Sequence, residues 1–168
     1  MSVAATKART AVEVSPSEPV VTITRTLSAP RALVWRAISE PEHVVAWWGP
    51  RGYANTVAAY DFRPGGKWSI RTDIPGGPSV VFLGEFREIV APEKIVRTFG
   101  MAGMWDGRHS VETLTLQADG DRTIYRVTAR FPNRADLEAM IASGMERGMN
   151  EGFERLDELL ASLLPDAA

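Results

Sequence analysis

Side chains able to do chemistry are scarce in this chain: cysteine is absent, and histidine occurs only as His43 and His109. Without sulfur there is no thiolate nucleophile, no disulfide and no cysteine-ligated zinc. The most suggestive run is His109-Ser-Val-Glu-Thr-Leu-Thr-Leu116. Read as a strand, it sends Leu114 and Leu116 to one face, and the same phase carries Ser110 and Glu112 with them. A carboxyl group turned towards apolar surroundings is the arrangement from which general acids and bases are made. Glu112 with His109 and Tyr125 would position a carbonyl compound for enolisation, the chemistry of a cyclase or hydrolase. The bland alternative is that Glu112 sits at a sheet end and pairs with an arginine such as Arg97, while His109 ends a strand or loop; neither then does chemistry. No phosphate-binding GxxxxGK[ST] or GxGxxG loop, HExxH zinc helix or GxSxG elbow occurs, so no cofactor and no metal are expected.

The elements that must position these groups follow from periodicity. Val20 to Leu27, VVTITRTL, is rich in β-branched residues and reads as a first strand. After Pro30, Leu33, Val34, Ala37 and Ile38 recur at helical spacing, and Pro41 ends that helix. A second short helix, PEHVVAWW, runs into Gly49-Pro50 and stops, leaving Trp47 and Trp48 at a junction. From Tyr53 to Phe131 the period is two, broken by Pro64-Gly65-Gly66, Pro75-Gly76-Gly77-Pro78, Ala91-Pro92-Glu93 and Asp119-Gly120-Asp121, which implies successive antiparallel strands. Pro64-Gly65 suits the centre of a type II turn, and Asp61 just before it is a turn or strand-end hydrogen-bonding residue. Residues 135–164 carry Leu137, Ile141, Met145, Met149, Phe153, Leu156, Leu160 and Leu163, the stripe of one long amphipathic helix. Beside that stripe lie Gly144, Gly148 and Gly152, each costing about 0.8–1.0 kcal/mol relative to alanine. Close approach of another element, or open volume beside a ligand, would account for them.

Composition bounds the setting. The chain has 168 residues, 45% of them apolar, and a formal charge of −2, which fits one globular domain and offers no basic field for nucleic acid. No apolar run reaches the roughly 18 residues of a membrane span, and no signal-peptide core is present, so a cytoplasmic protein is expected. Residues 1–18 mix small, polar and proline residues and read as a mobile leader; residues 19–165 form the domain.

Strand, two short helices, a run of antiparallel strands and a long last helix is the helix-grip order, an α+β (START-like) fold. In it a curved antiparallel sheet of six to seven strands wraps a long C-terminal helix around an internal cavity. LSAPRALVWRAISEPEHVVAWWGP, DFRPGGKW, GEFREIVAPEKIVRTF and EGFERLDELLA, in that order, make the chain resemble the SRPBCC superfamily, within it the branch of homologues of the activator of the heat-shock chaperone ATPase. The resemblance covers roughly Val20 to Leu164. It implies an apolar cavity that binds a small lipid-like or aromatic ligand, with a chaperone-accessory or other protein-interaction role as one alternative and enzymatic use of Glu112 or His109 as another. The strand faces then predict a lining of Trp68, Ile70, Phe82, Phe86, Phe99, Glu112, Leu114, Tyr125 and Val127, with Met145, Met149 and Phe153 from the helix and Trp48 at the mouth. At each position ordinary core packing is the competing reading. The chain is expected to act as a monomer or homodimer.

Overall fold

Threonine alternates with Val21, Ile23, Arg25 and Leu27 through VVTITRTL, and the strand they build buries every second residue, from Val21 to Leu27. In this computed structural model, which describes residues 10–103 and 107–165, that strand is β2 (Val20–Leu27). The other strands are β1 (Ala11–Val14), β3 (Ala54–Tyr60), β4 (Lys67–Asp73), β5 (Val80–Val90), β6 (Lys94–Met101), β7 (Ser110–Asp119) and β8 (Arg122–Arg130). The helices are α1 (Arg31–Ser39), α2 (Pro41–Trp47), α3 (Arg134–Ala142) and α4 (Met145–Leu163).

All eight strands join one antiparallel sheet in the order β1-β2-β8-β7-β6-β5-β4-β3. The helices cover the face that carries Trp68, Ile70, Leu114 and Tyr125, with α2 wedged between α1 and α4. This is the helix-grip arrangement. No helix among the described residues is long and apolar enough to cross a membrane.

The sheet has one strand more than the six to seven expected. Ala11–Val14, placed by the sequence reading in a leader, forms β1, with Ala11 opposite Thr24 and Val14 opposite Val21. A four-residue edge strand carries too short an alternation to stand out from its polar surroundings. The expected boundary at residue 19 therefore falls inside the β1–β2 hairpin.

The C-terminal helix also differs from the single one expected. It breaks into α3 and α4 at Ser143-Gly144, where Gly144 has φ +84°, a left-handed conformation that glycine takes without steric cost. The other two glycines lie inside α4 and admit a neighbour. A Cβ on Gly152 would stand 3.3 Å from the Trp47 carbonyl oxygen, and one on Gly148 would stand 3.4 Å from Pro50 Cγ. Close approach accounts for them, and the approaching element is the α2–β3 loop.

The Pro64-Gly65 turn has the expected form: Gly66 N–H donates to the Arg63 carbonyl at 2.8 Å, and Gly65 has φ +85°. Gly65 N–H donates to the Phe86 carbonyl at 2.7 Å and Phe86 N–H to the Gly66 carbonyl at 2.8 Å. The turn is thus docked on β5. Asp61 Oδ2 accepts from Arg63 Nε at 2.9 Å, so it serves the turn.

Candidate functional site

Antiparallel register places Arg97 of β6 directly opposite Glu112 of β7, with the pairs Ile95–Leu114 and, between β7 and β8, Leu116–Tyr125 alongside. Alternation turns both charged side chains towards the helices. Arg97 Nε donates to Glu112 Oε2 at 3.0 Å, and the two side chains are only 16% and 17% exposed. The Arg97 guanidinium lies 4.6 Å from the Trp68 ring centroid and 5.6 Å from that of Trp48, so the cation is held by ring faces as well as by a carboxylate.

Around this pair the interior is filled by side chains. The space left is a void of about 10 Å³, bounded by Trp48, Tyr60, Arg97, Leu114 and Tyr125 together with Ile38. Among the described residues no roomy apolar cavity stands open here; the rings of Trp48, Trp68, Phe82 and Phe99 pack together beside the Arg97–Glu112 pair. Tyr60 donates its hydroxyl to the Ile38 carbonyl at 2.6 Å. The Tyr125 hydroxyl and the two terminal nitrogens of Arg97 make no hydrogen bond to any described residue.

Burial pushes the Tyr125 phenol well above its ordinary pKa, with Arg97 opposing and Glu112 reinforcing the rise. Burial raises Tyr60 too, against the pull of Arg97. At Arg97 burial works against the charge, but the Glu112 carboxylate opposes that cost and the guanidinium ends above its usual value. The cluster therefore holds one fixed cation, one paired carboxylate and phenols that keep their protons.

Three tryptophans meet here and are held differently. Trp47 donates Nε1–H to the Ala37 carbonyl at 2.9 Å, and Trp68 donates Nε1–H to the Thr98 carbonyl at 3.2 Å. Trp48 has no such bond among the described residues; its ring rests on those of Trp68 at 5.8 Å, Phe82 at 5.6 Å and Phe99 at 6.5 Å between centroids. Its backbone, in contrast, is pinned. The Trp48 carbonyl accepts from Asn55 Nδ2 at 2.6 Å, and Arg155 of α4 donates to the carbonyls of Trp48, Gly49 and Pro50, each at 3.1 Å. Thr72 Oγ1 donates to Asn55 Oδ1 at 2.9 Å and so fixes that amide.

Of the residues proposed from sequence, Trp48, Trp68, Phe82, Phe99, Glu112, Leu114 and Tyr125 come together around Arg97. Phe153 is buried against the Tyr125 ring, 5.3 Å away. Met145 and Met149 are half-buried against the core. Ile70 and Phe86 are fully buried, and Phe86 belongs to a second ring cluster with Tyr60 at 5.3 Å and Phe62 at 5.1 Å.

His109 stands apart. It is exposed, and with Leu83, Gly100 and Arg108 it lines a separate surface groove of about 200 Å³. The group of Glu112, His109 and Tyr125 is not assembled, because His109 lies just before β7 and, three residues from Glu112, falls on the phase opposite to the one that turns Glu112 inward. Glu112 takes its other reading and pairs with Arg97. Tyr60, Asn55 and Arg155 had not been singled out. Arg97 had a signal in KIVRTF, where it shares the inward phase of Ile95 and Phe99, as Glu112 shares that of Leu114.

The fold has counterparts. A solution structure of a protein from Arthrobacter aurescens superposes with TM-score 0.83 at 24% identity, covering 93% of this chain and 92% of that one. The crystal structure of Ms6760 from Mycobacterium smegmatis gives TM-score 0.84 at 21% identity, with 93% and 100% covered. A protein from Rhodobacter sphaeroides gives 0.83 at 21% identity, with 92% and 100% covered. No curated protein matches the sequence. The family described as Activator of Hsp90 ATPase homolog 1-like protein matches residues 28–161, from the end of β2 almost to the end of α4. The chain belongs to that family.

Proposed function

We propose that this protein binds a small apolar ligand between the sheet and α4, and that the Trp48 ring moves aside to admit it. The observation that carries the reading is the contrast among the tryptophans. Trp47 and Trp68 are tied by their indole N–H groups, while the Trp48 ring has no hydrogen bond among the described residues and is held by ring contacts and the Arg97 cation, beside a residual void. A ring held without a hydrogen bond is replaceable by another ring of similar area.

Titration with the apolar fluorophore N-phenyl-1-naphthylamine tests this. Saturable binding with quenching of tryptophan emission is expected, strengthened several-fold in Trp48→Ala, where the space is already open. No saturation with either protein overturns the reading. Binding only by the variant overturns the movement of Trp48.

The family description supports a second reading, a chaperone-accessory role. Faster ATP turnover by the cognate Hsp90 on adding this chain would favour it. The enzymatic reading has less support, since Glu112 is committed to Arg97 and His109 lies elsewhere.

A further inference from the structure

Resting on the reading of the interior as a ligand site, we infer that the ligand is an uncharged aromatic carbonyl compound, its oxygen accepting from Arg97 and Tyr125 while its ring takes the place of Trp48. The wall of the void supplies donors in excess. Arg97 and Tyr125 both line it, and neither the terminal nitrogens of Arg97 nor the hydroxyl of Tyr125 has an acceptor among the described residues, whereas Tyr60 has already spent its proton on the Ile38 carbonyl. Burial raises the Tyr125 phenol above its ordinary value, so its hydroxyl remains a donor at neutral pH.

Two alternatives are selected against. A pure hydrocarbon would cover these donors and leave them without a partner, and an unpaired buried polar group is costly. A carboxylate would meet a cation already neutralised by Glu112 at 3.0 Å; the enclosure would then hold two negative charges against one positive, and an uncompensated buried charge is costlier still. A neutral oxygen satisfies the donors and leaves the charge balanced. The rest of the ligand is set by what surrounds Trp48, the rings of Trp68, Phe82 and Phe99, a slot for a flat aromatic body.

The test compares three naphthalenes of similar size, 2-acetylnaphthalene, 2-ethylnaphthalene and 2-naphthoate, by calorimetry on the full chain. The ketone is expected to bind about tenfold more tightly than either of the others, the worth of a hydrogen bond to a charged donor. In Tyr125→Phe that advantage should shrink while 2-ethylnaphthalene affinity holds. In the double variant Arg97→Met/Glu112→Leu, which exchanges the pair for apolar side chains, it should vanish. If the double variant does not fold, Tyr125→Phe alone carries the test. Equal binding of all three, tightest binding of naphthoate, or a ketone advantage untouched by the substitutions overturns this inference and leaves the ligand site standing. Failure of every compound to bind overturns the ligand site, and this inference with it.

Discussion

Gly152 of α4 lies against Trp47 of α2 so closely that a Cβ at residue 152 would stand 3.3 Å from the Trp47 carbonyl oxygen. The neighbour is backbone, and the adjoining carbonyls are held by Arg155, so it has little room to yield. Gly152→Ala should therefore lower stability by about 1 kcal/mol, overpacking exceeding the gain in helix propensity. Gly148→Ala, whose Cβ would meet only Pro50 Cγ at 3.4 Å, should raise stability by about 0.5–1 kcal/mol. Urea unfolding of the two variants checks the order, and equal shifts would show that the approach at Gly152 is not limiting.

Arg155→Met keeps the aliphatic stem and removes the bonds to the carbonyls of Trp48, Gly49 and Pro50. A loss of about 2 kcal/mol is expected, the scale for hydrogen bonds from a charged donor. Tryptophan emission should also shift to the red as the loop loosens and Trp48 meets water. An unmoved emission maximum with an unmoved urea midpoint would rule out the clamp.

Gly84 makes room for Trp68. A Cβ there would stand 1.9 Å from the Thr98 carbonyl oxygen and 2.6 Å from Trp68 Nε1, the two atoms that share a hydrogen bond. Gly84→Ala must push β5 from β6 or expel the indole, at an expected cost above about 3 kcal/mol. Near-UV circular dichroism should lose its tryptophan signal, and a native-like spectrum with a native midpoint would contradict the assignment.

Alkaline stability should report the buried phenols. Tyr60 and Tyr125 both have raised folded-state values, so the folded chain keeps protons that the unfolded chain releases near the ordinary tyrosine value of about 10. Their contribution is intact below about pH 10 and is lost as pH rises through the folded-state values. Tyr125→Phe should show a shallower fall in urea midpoint between about pH 9 and about pH 11. Parallel curves for the two proteins would mean that Tyr125 ionises in the folded chain as it does in the unfolded one.

How much of this was legible depended on the range of the signal. Alternation placed Leu114, Leu116 and Glu112 on one face because burial alone sets the phase of a strand, and Pro64-Gly65 declared its turn because the backbone there tolerates few residue types. The Arg97–Glu112 pair was half legible: each charge sits on an apolar phase, but the register that sets them opposite depends on β6 and β7 meeting. Asn55 and Arg155 carried no pattern, since their partners are backbone carbonyls of a distant loop, and any long donor could have served. The break at Gly144 was hidden by a stripe that continues through it, and β1 by its brevity. That Phe86 packs with Tyr60 and Phe62 was not legible, because alternation gives a face of the sheet and not a place along it.

If the interior takes a ligand as proposed, the Trp48 ring bears on which compounds are retained. Tethered on a short loop, it acts as a ligand covalently supplied by the protein, at an effective concentration in the millimolar range or above. An incoming molecule competes with that resident indole, so its apparent affinity falls by the fraction of time the indole stays seated. Compounds that merely reproduce an indole gain nothing by entering. Retention requires contacts the indole lacks, so a space-filling side chain would set a threshold for selectivity.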